Sequence, residues 1–406
     1  MTTLIDNLDD LARSGITSCI LLYSGGLDGS YFLNWAKRHT LDVLALTIGI
    51  DDDLSCQEIK RTAQGLNAPF LYKDCIEQFV NEYVVKAIKA NAYYQGLYPV
   101  CSSLSRPLFS RVAVQTAHEM GVQAIIHTST YMQNSATRFN LSLMGLDPNI
   151  TIAAPFLRSH FSREEKLHSL EDKGLSFPLN IYSIDKNIWG RVIECGTLEN
   201  PENRLPDSGV FTWTRDITDT PNSAEEIEIA FEGGVPTVLN GQPSNVIDIV
   251  RALNILGGKH GIGRFSGLED TVFGVKNHEI RESPAAHILI TAHRELEAAV
   301  LTQSELSLKL FLDNYWTNLI VSGSWYAHLT EALFAFIDHM NELVNGKVRL
   351  KLHKGNLIVQ CKSAEKGLYY AKFEADFAAR MEQTAFAPFY TSMGIPLLRR
   401  QKSENL

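Results

Sequence analysis

From Ser18 to about Phe156 the sequence alternates apolar runs of strand length with segments of helical period, and this alternation constrains the fold more than any other feature. The runs are CILLY (19–23), VLALTIG (43–49), APFLYKD (68–74), AIIHTS (124–129) and ITIAAPF (150–156). Between them lie YFLNWAKRH, SCQEIKRTAQGL and PLFSRVAVQTAHEMG. Strands joined through helices pair in parallel, with the helices covering the sheet on both faces. The reading is an α/β domain, and in such sheets ligands bind beyond the carboxyl ends of the strands.

After about Ser183 the texture changes. IEIAFEGGVPTVLNG reads as two strands around a tight turn, and KVRLKLHKGNLIVQCKS as two more around Lys354-Gly355-Asn356. The helical stretches AAHILITAHRELEAAVL and WYAHLTEALFAFIDHMNELV lie between them, which predicts an α+β second domain. A chain of 406 residues accommodates two cores. The expected limits are 1–180 for the first domain, 181–385 for the second, and a C-terminal tail over 386–406. The Pro/Asn/Asp-rich segment 199–222 is the expected surface crossing. A net charge of −9 without a basic run excludes a dedicated nucleic-acid binder. The six cysteines show no CxxC pair and no zinc spacing, so reduced thiols and no protein metal site are expected. No run approaches the roughly 20 apolar residues that span a bilayer. The acidic start MTTLIDNLDDLARSG is unlike a leader, and a cytoplasmic protein with no membrane partner is expected.

The loop after the first apolar run is the main chemical signal. Ser24-Gly25-Gly26 followed by a helix near Gly29 leaves backbone N–H groups aimed at one spot, where glycines let a phosphate approach and the helix terminus favours negative charge. The GK[ST] of the Walker loop and the three-glycine dinucleotide fingerprint are both missing. A plain glycine turn between strand and helix is the alternative that the local sequence leaves open.

SGGLD followed by Ser30 resembles the loop of enzymes that cleave ATP between its α- and β-phosphates. Together with YPVCSSLSRP, LENPEN, GKHGIGR, AHRELEAAVLT and GKVRLKLHKG, it resembles the argininosuccinate synthase family of the N-type ATP pyrophosphatases over nearly the whole chain. The resemblance implies a parallel-sheet, adenine nucleotide α-hydrolase-like domain, an α+β synthetase domain, and a homotetramer held partly by the tail. It implies an AMP-forming ligase using ATP with Mg²⁺: a ureido oxygen attacks the α-phosphate, pyrophosphate leaves, and an amine then displaces AMP. The partners it implies are small amino-acid-like molecules.

Carried over position by position, Leu22, Tyr23, Ser24, Gly25, Gly26, Leu27, Asp28, Gly29 and Ser30 match the family's phosphate loop, Ile48 its adenine-lining position, Arg106 its arginine near the phosphates, and Thr128 a family glycine. Gly29 stands in place of a threonine, with Ser24 and Ser30 as remaining hydroxyls. Ser24 and Asp28 are the candidate catalytic residues; the proton of the incoming amine has solvent, Asp28 or a substrate carboxylate as acceptor. Tyr98, Ser103, Asn134, Arg138, Ser183 and Glu269 match ureido-substrate positions, with Arg138 and Glu269 suited to an α-carboxylate and an α-ammonium. Val192 replaces a serine there. Arg281 replaces a tyrosine, introducing a cation that repels an ammonium or takes an added carboxylate or phosphate. In the amine site Ser102, Thr130 and Asn134 remain, both loop glycines are gone from Thr130-Tyr131-Met132-Gln133-Asn134-Ser135, and Ser135 stands where the family has an aspartate. Three readings follow: the same chemistry on changed partners, an ordinary argininosuccinate synthase, or a non-catalytic paralogue. A sulfur transferase acting on tRNA requires paired cysteines and a basic face, which this chain lacks. His127 reads as a packed histidine with a polarising role as rival, Lys259 and His260 as turn residues or ligand contacts, and Asp51-Asp52-Asp53 as a solvated run.

Overall fold

The computed structural model describes residues 3–52, 56–131, 133–175, 177, 181–206 and 208–369. Asp53, Met132 and the tail over 386–406 lie outside the described residues.

Each of the five apolar runs forms a strand, and all are parallel: Ser18–Leu22, Asp42–Gly49, Phe70–Asp74, Ala124–Ile126 and Thr151–Ala153. A two-residue strand, Leu4–Ile5, adds a sixth at the edge beside Ile152 and Ala153. Two residues are too short to show an alternation, so periodicity does not reveal it. Ser18–Leu22 sits inside the sheet. The next strand, Asp42–Gly49, lies on one side of it, and Ala124–Ile126 on the other. The strand order therefore reverses at the carboxyl end of Ser18–Leu22, where Ser24-Gly25-Gly26 follows, and an open α/β sheet takes its ligand at such a switch point.

Alternate residues of the central strand bury on opposite faces, as a pleated strand requires. Leu21 and Tyr23 pack with Phe32, Ile59 and Ala63 from the helices Leu27–Arg38 and Cys56–Gly65. Ile20 faces a second core, which runs through Leu104 and Leu108 of the helix Ser102–Met120 into Ile288 and Leu289 of Pro284–Val300. That first helix begins five residues before Pro107, where the apolar pattern had placed its start, so Ser102, Ser103 and Arg106 are helical.

Beyond Ser183 the sheets are antiparallel. A four-stranded sheet joins Ser183–Asn187, Gly190–Glu194, Lys276–Glu282 and Arg264–Asp270. A five-stranded sheet holds both hairpins read in the sequence, Glu225–Glu232 with Val235–Leu239 and Gly346–His353 with Asn356–Ala364. Their turns fall at Gly233-Gly234 and Lys354-Gly355, all four with positive φ. The whole is an α/β parallel-sheet domain with an α+β part.

A buried polar cluster fastens these parts. Lys309, on the helix Gln303–Val321, forms an ion pair with Glu297 (2.6 Å) and donates to Asp313 (2.8 and 2.9 Å) and to the Lys89 carbonyl (2.8 Å). Asn91 donates to the same two carboxylates, and its carbonyl oxygen meets His293 Nδ1 at 2.8 Å. Burial pushes Asp313 up to about 6 and raises Glu297, while Lys309 opposes both shifts. Lys309→Met leaves two carboxylates without their cation, and breaking such a pair costs about 3–5 kcal/mol. Thermal denaturation should show a large loss at neutral pH and a smaller one in mildly acidic buffer, where protonation relieves the repulsion. Equal melting at both would contradict this account of the cluster.

Candidate active site

The chain turns out of the central strand through Ser24, Gly25 and Gly26. Gly25 has φ +79°, and a Cβ there would lie 3.0 Å from Ile59 Cγ1, so glycine is required on two counts. Gly26 caps the helix Leu27–Arg38 without a side-chain hydrogen bond, so the first helical N–H groups meet no side-chain acceptor there and suit an anion. Ser24 and Gly26 are exposed; Leu22, Gly25, Leu27 and Asp28 are half-buried. The Ser30 hydroxyl is fully buried and bonded to Tyr23 Oη at 2.8 Å. Ser24 thus offers the exposed hydroxyl, and Ser30 is turned inward. A Cβ on Gly29 would lie 2.8 Å from the Tyr23 ring, which is the local reason a larger residue does not suit this position. Asp28, in the first helical turn, accepts from Lys166 Nζ at 2.7 Å.

Ile48 is buried near the carboxyl end of its strand, and half-buried Thr128 follows the strand Ala124–Ile126 by two residues. Arg106 is held between Asp185 (2.5 Å), Ser105 Oγ (2.8 Å) and Ser135 Oγ, which accepts from its Nε and Nη2 at 3.3 and 3.1 Å.

Ser102, Arg106, Asn134, Ser135, Arg138, Val192 and Glu269 line one small cavity of about 40 Å³, room for about three waters. Asn134 and Arg138 are one turn apart on the helix Asn134–Leu146, and both reach Glu269 Oε1 at 2.7 Å. Arg138 and Glu269 therefore satisfy each other before any substrate arrives. Arg281 is fully buried, 4.1 Å above the Tyr98 ring, and paired with Glu269 (3.1 Å) and Glu279. This corrects the reading of Arg281 as an open cation: its charge is already matched. Burial works against that charge, but Glu279 and Glu269 more than hold it. Burial likewise pushes Glu279 up to about 7 despite Arg281. Glu269 is penalised by burial too, yet Arg138 and Arg281 keep it below the ordinary carboxylate range. The two departures, Val192 and Arg281, are direct cross-strand partners, so they form one local change. Tyr98 Oη and Arg281 Nε are buried without a partner among the described residues.

Ser103 is buried on the first turn of its helix, Ser183 half-buried at a strand start, and Thr130 half-buried with its N–H on Gln133 Oε1 at 3.1 Å. Neither these three nor Tyr98 and Arg281 line the cavity. Asp185, Glu194, Asn277 and Glu279 do line it and were missed. Strand period was the available signal: Asp185 lies two residues from Ser183, Glu194 two from Val192, and Glu279 two from Arg281.

The weaker candidates have protein partners. Lys259 and His260 both bind Glu225 (2.6 and 3.2 Å), Asp51 pairs with Lys186 (3.0 Å), and Asp52 with Arg251 (2.5 Å). Among the described residues no three His, Cys, Asp or Glu side chains gather as a metal site. His127 is buried beneath Phe139, with Nε2 2.9 Å from Asn140 Oδ1. Burial pushes its imidazole from 6.5 down to about 4, so it is neutral at physiological pH. A depressed folded value means its stabilising contribution holds above about 6.5 and is lost as pH falls toward about 4. In His127→Gln the acid limb of the stability–pH curve should flatten over that window; an unchanged limb would contradict the assignment.

A sequence profile described as the arginosuccinate synthase N-terminal HUP domain matches residues 18–176, and one described as the arginosuccinate synthase C-terminal domain matches residues 182–398. Argininosuccinate synthases of Bacillus cereus (strain AH820), Bacillus thuringiensis subsp. konkukian and Bacillus mycoides are each 37% identical over 383 residues, covering 93% of this chain and 95% of the relative. With a glycine loop at the switch point of a parallel sheet, and matches running through both parts of the molecule, the chain belongs to the argininosuccinate synthase family.

Proposed function

We propose that the protein adenylates the ureido oxygen of a citrulline-like amino acid with ATP, releases pyrophosphate, and condenses the adduct with an amine other than L-aspartate. As a member of this family the chain is an AMP-forming carbon–nitrogen ligase; the choice of partners is the proposal. A ureido oxygen is a poor leaving group until adenylated, so the enzyme's task is alignment and charge stabilisation. The uncapped helix N-terminus suits the pyrophosphate. Asn134 and Arg138, which line the cavity, are the polar groups that would meet the ureido substrate. Magnesium binds through one or two carboxylates with phosphate oxygens and water. Asp28 Oδ1 already accepts from Lys166, so the ion would come with the nucleotide, held by phosphate oxygens and water, and would supply charge neutralisation of the leaving group.

The observation that carries the changed amine is at Ser135. Its hydroxyl accepts from Arg106 at 3.1 and 3.3 Å, so at position 135 an ammonium meets a hydroxyl already engaged by a guanidinium, and the nearby carboxylate of Asp185 is itself paired with that Arg106. Losing a charged anchor costs about 2–5 kcal/mol, a roughly 30- to several-thousandfold loss in affinity. An ordinary argininosuccinate synthase is the second reading, favoured by the Asn134–Arg138–Glu269 contacts at 2.7 Å and by 37% identity to its relatives. The same proposal includes the domain limits at 180 and 385, a homotetramer, and a cytoplasmic location; a monomer in light scattering would contradict the homotetramer.

Pyrophosphate release from ATP, Mg²⁺ and L-citrulline, with and without L-aspartate and then with a panel of other amines, tests the reading. Weak turnover with aspartate and strong turnover with another amine is expected, and Ser135→Asp should improve aspartate use by about tenfold or more. Robust wild-type turnover with aspartate would establish the second reading. Silence across the panel, with ATP still bound, would point to a non-catalytic protein.

A further inference from the structure

The loop sequence carries no lysine, yet the fold brings one to it. Lys166, from the short helix Arg163–His168, places its ammonium 2.7 Å from Asp28 Oδ1 across 138 residues of sequence. We propose that Lys166 is the phosphate-binding lysine of this site, donating to the pyrophosphate end of a nucleoside triphosphate.

Three observations support it. Asp28 stands in the first turn of the helix whose N-terminus faces the loop, and a carboxylate there repels a polyphosphate unless a cation offsets it. Lys166 is the cation that does so. Second, an ammonium has three donors, and Asp28 is the acceptor it has among the described residues, which leaves two N–H groups for phosphate oxygens. Third, the ammonium is held in place. The Lys166 side chain is 11% exposed and its nitrogen lies 5.1 Å from the Phe156 ring. Its helix is closed by a capping box between Ser162 and Glu165. Asn34 of the loop helix donates to the Ser169 carbonyl at 2.7 Å, tying the two helices together. A lysine fixed in this way costs little further side-chain entropy on binding. No proton changes hands: negative charge grows on the leaving pyrophosphate as its bond to the α-phosphorus breaks, and Lys166 donates to that charge. A salt bridge that merely fastens two helices is the rival, though with Asp28 39% exposed such a pair contributes little to stability.

The inference rests on the loop being the pyrophosphate cradle, and the experiment separates the two claims. Calorimetric binding of inorganic pyrophosphate and of ATP is measured for the full wild-type chain, Lys166→Met, Lys166→Arg and Asp28→Asn, with KM for ATP and for the ureido substrate beside it. A hydrogen bond to a charged group contributes about 1.5–3 kcal/mol, so Lys166→Met should weaken pyrophosphate binding roughly ten- to a hundredfold. KM for ATP should rise while that for the ureido substrate stays put, and Lys166→Arg should recover most of the affinity. If Lys166→Met fails to fold, Asp28→Asn decides: it keeps the lysine, and metal-free pyrophosphate should bind it at least as tightly as wild type. Equal pyrophosphate affinity in wild type and Lys166→Met would overturn the lysine's role. So would a loss of metal-free binding in Asp28→Asn. Absence of pyrophosphate binding by wild type would overturn the cradle itself, and the lysine with it.

Discussion

Glu269, shared between Arg138 and Arg281, is the interaction on which the reaction pocket depends. A carboxylate at 3% exposure is sustained only by cations and donors that replace its lost water. Here Arg138 comes from the helix Asn134–Leu146, which connects two strands of the parallel sheet, and Arg281 from the antiparallel sheet; Glu279 balances the second guanidinium. Arg138 also donates to the Val321 carbonyl at 2.7 Å, so the bridge reaches a third element. The start of the helix Asn134–Leu146 is fixed as well, because Asn134 is bound both to Glu269 and to the Asp270 carbonyl. An amino-acid substrate must compete for groups that already satisfy one another, and a site so arranged favours ligands whose charges reproduce that balance.

Much of the fold was legible in the sequence. The five apolar runs became the five main parallel strands, and both hairpins turned where glycine permits positive φ. Periodicity reports such elements because burial on one or two faces dictates it. The run AIIHTS extends past its strand, which ends at Ile126: His127 is apolar in environment but not in residue type, and the chain leaves the sheet there. Leu4–Ile5 was invisible because a two-residue edge strand has no pattern of its own.

The site was legible in identity more than in arrangement. A residue-by-residue resemblance named Arg138, Asn134 and Glu269 but could not tell that they bind one another. It treated Val192 and Arg281 as separate departures, whereas cross-strand register makes them neighbours. It took Arg281 for a free charge because one partner, Glu279, lies two positions away on its own strand and the other, Glu269, twelve positions away on the adjoining strand. Lys166 left no local trace at all, since its only relation to Asp28 is tertiary.

In the proposed reaction a ureido oxygen attacks the α-phosphate of ATP at the cradle of Ser24, Gly25 and Gly26. The most direct measurement places ¹⁸O in the ureido group of citrulline and follows the label through turnover with whichever amine the enzyme accepts. The account predicts that one ¹⁸O appears in the phosphate of AMP. Unlabelled AMP, with the ¹⁸O released to water or kept in the product, would contradict it.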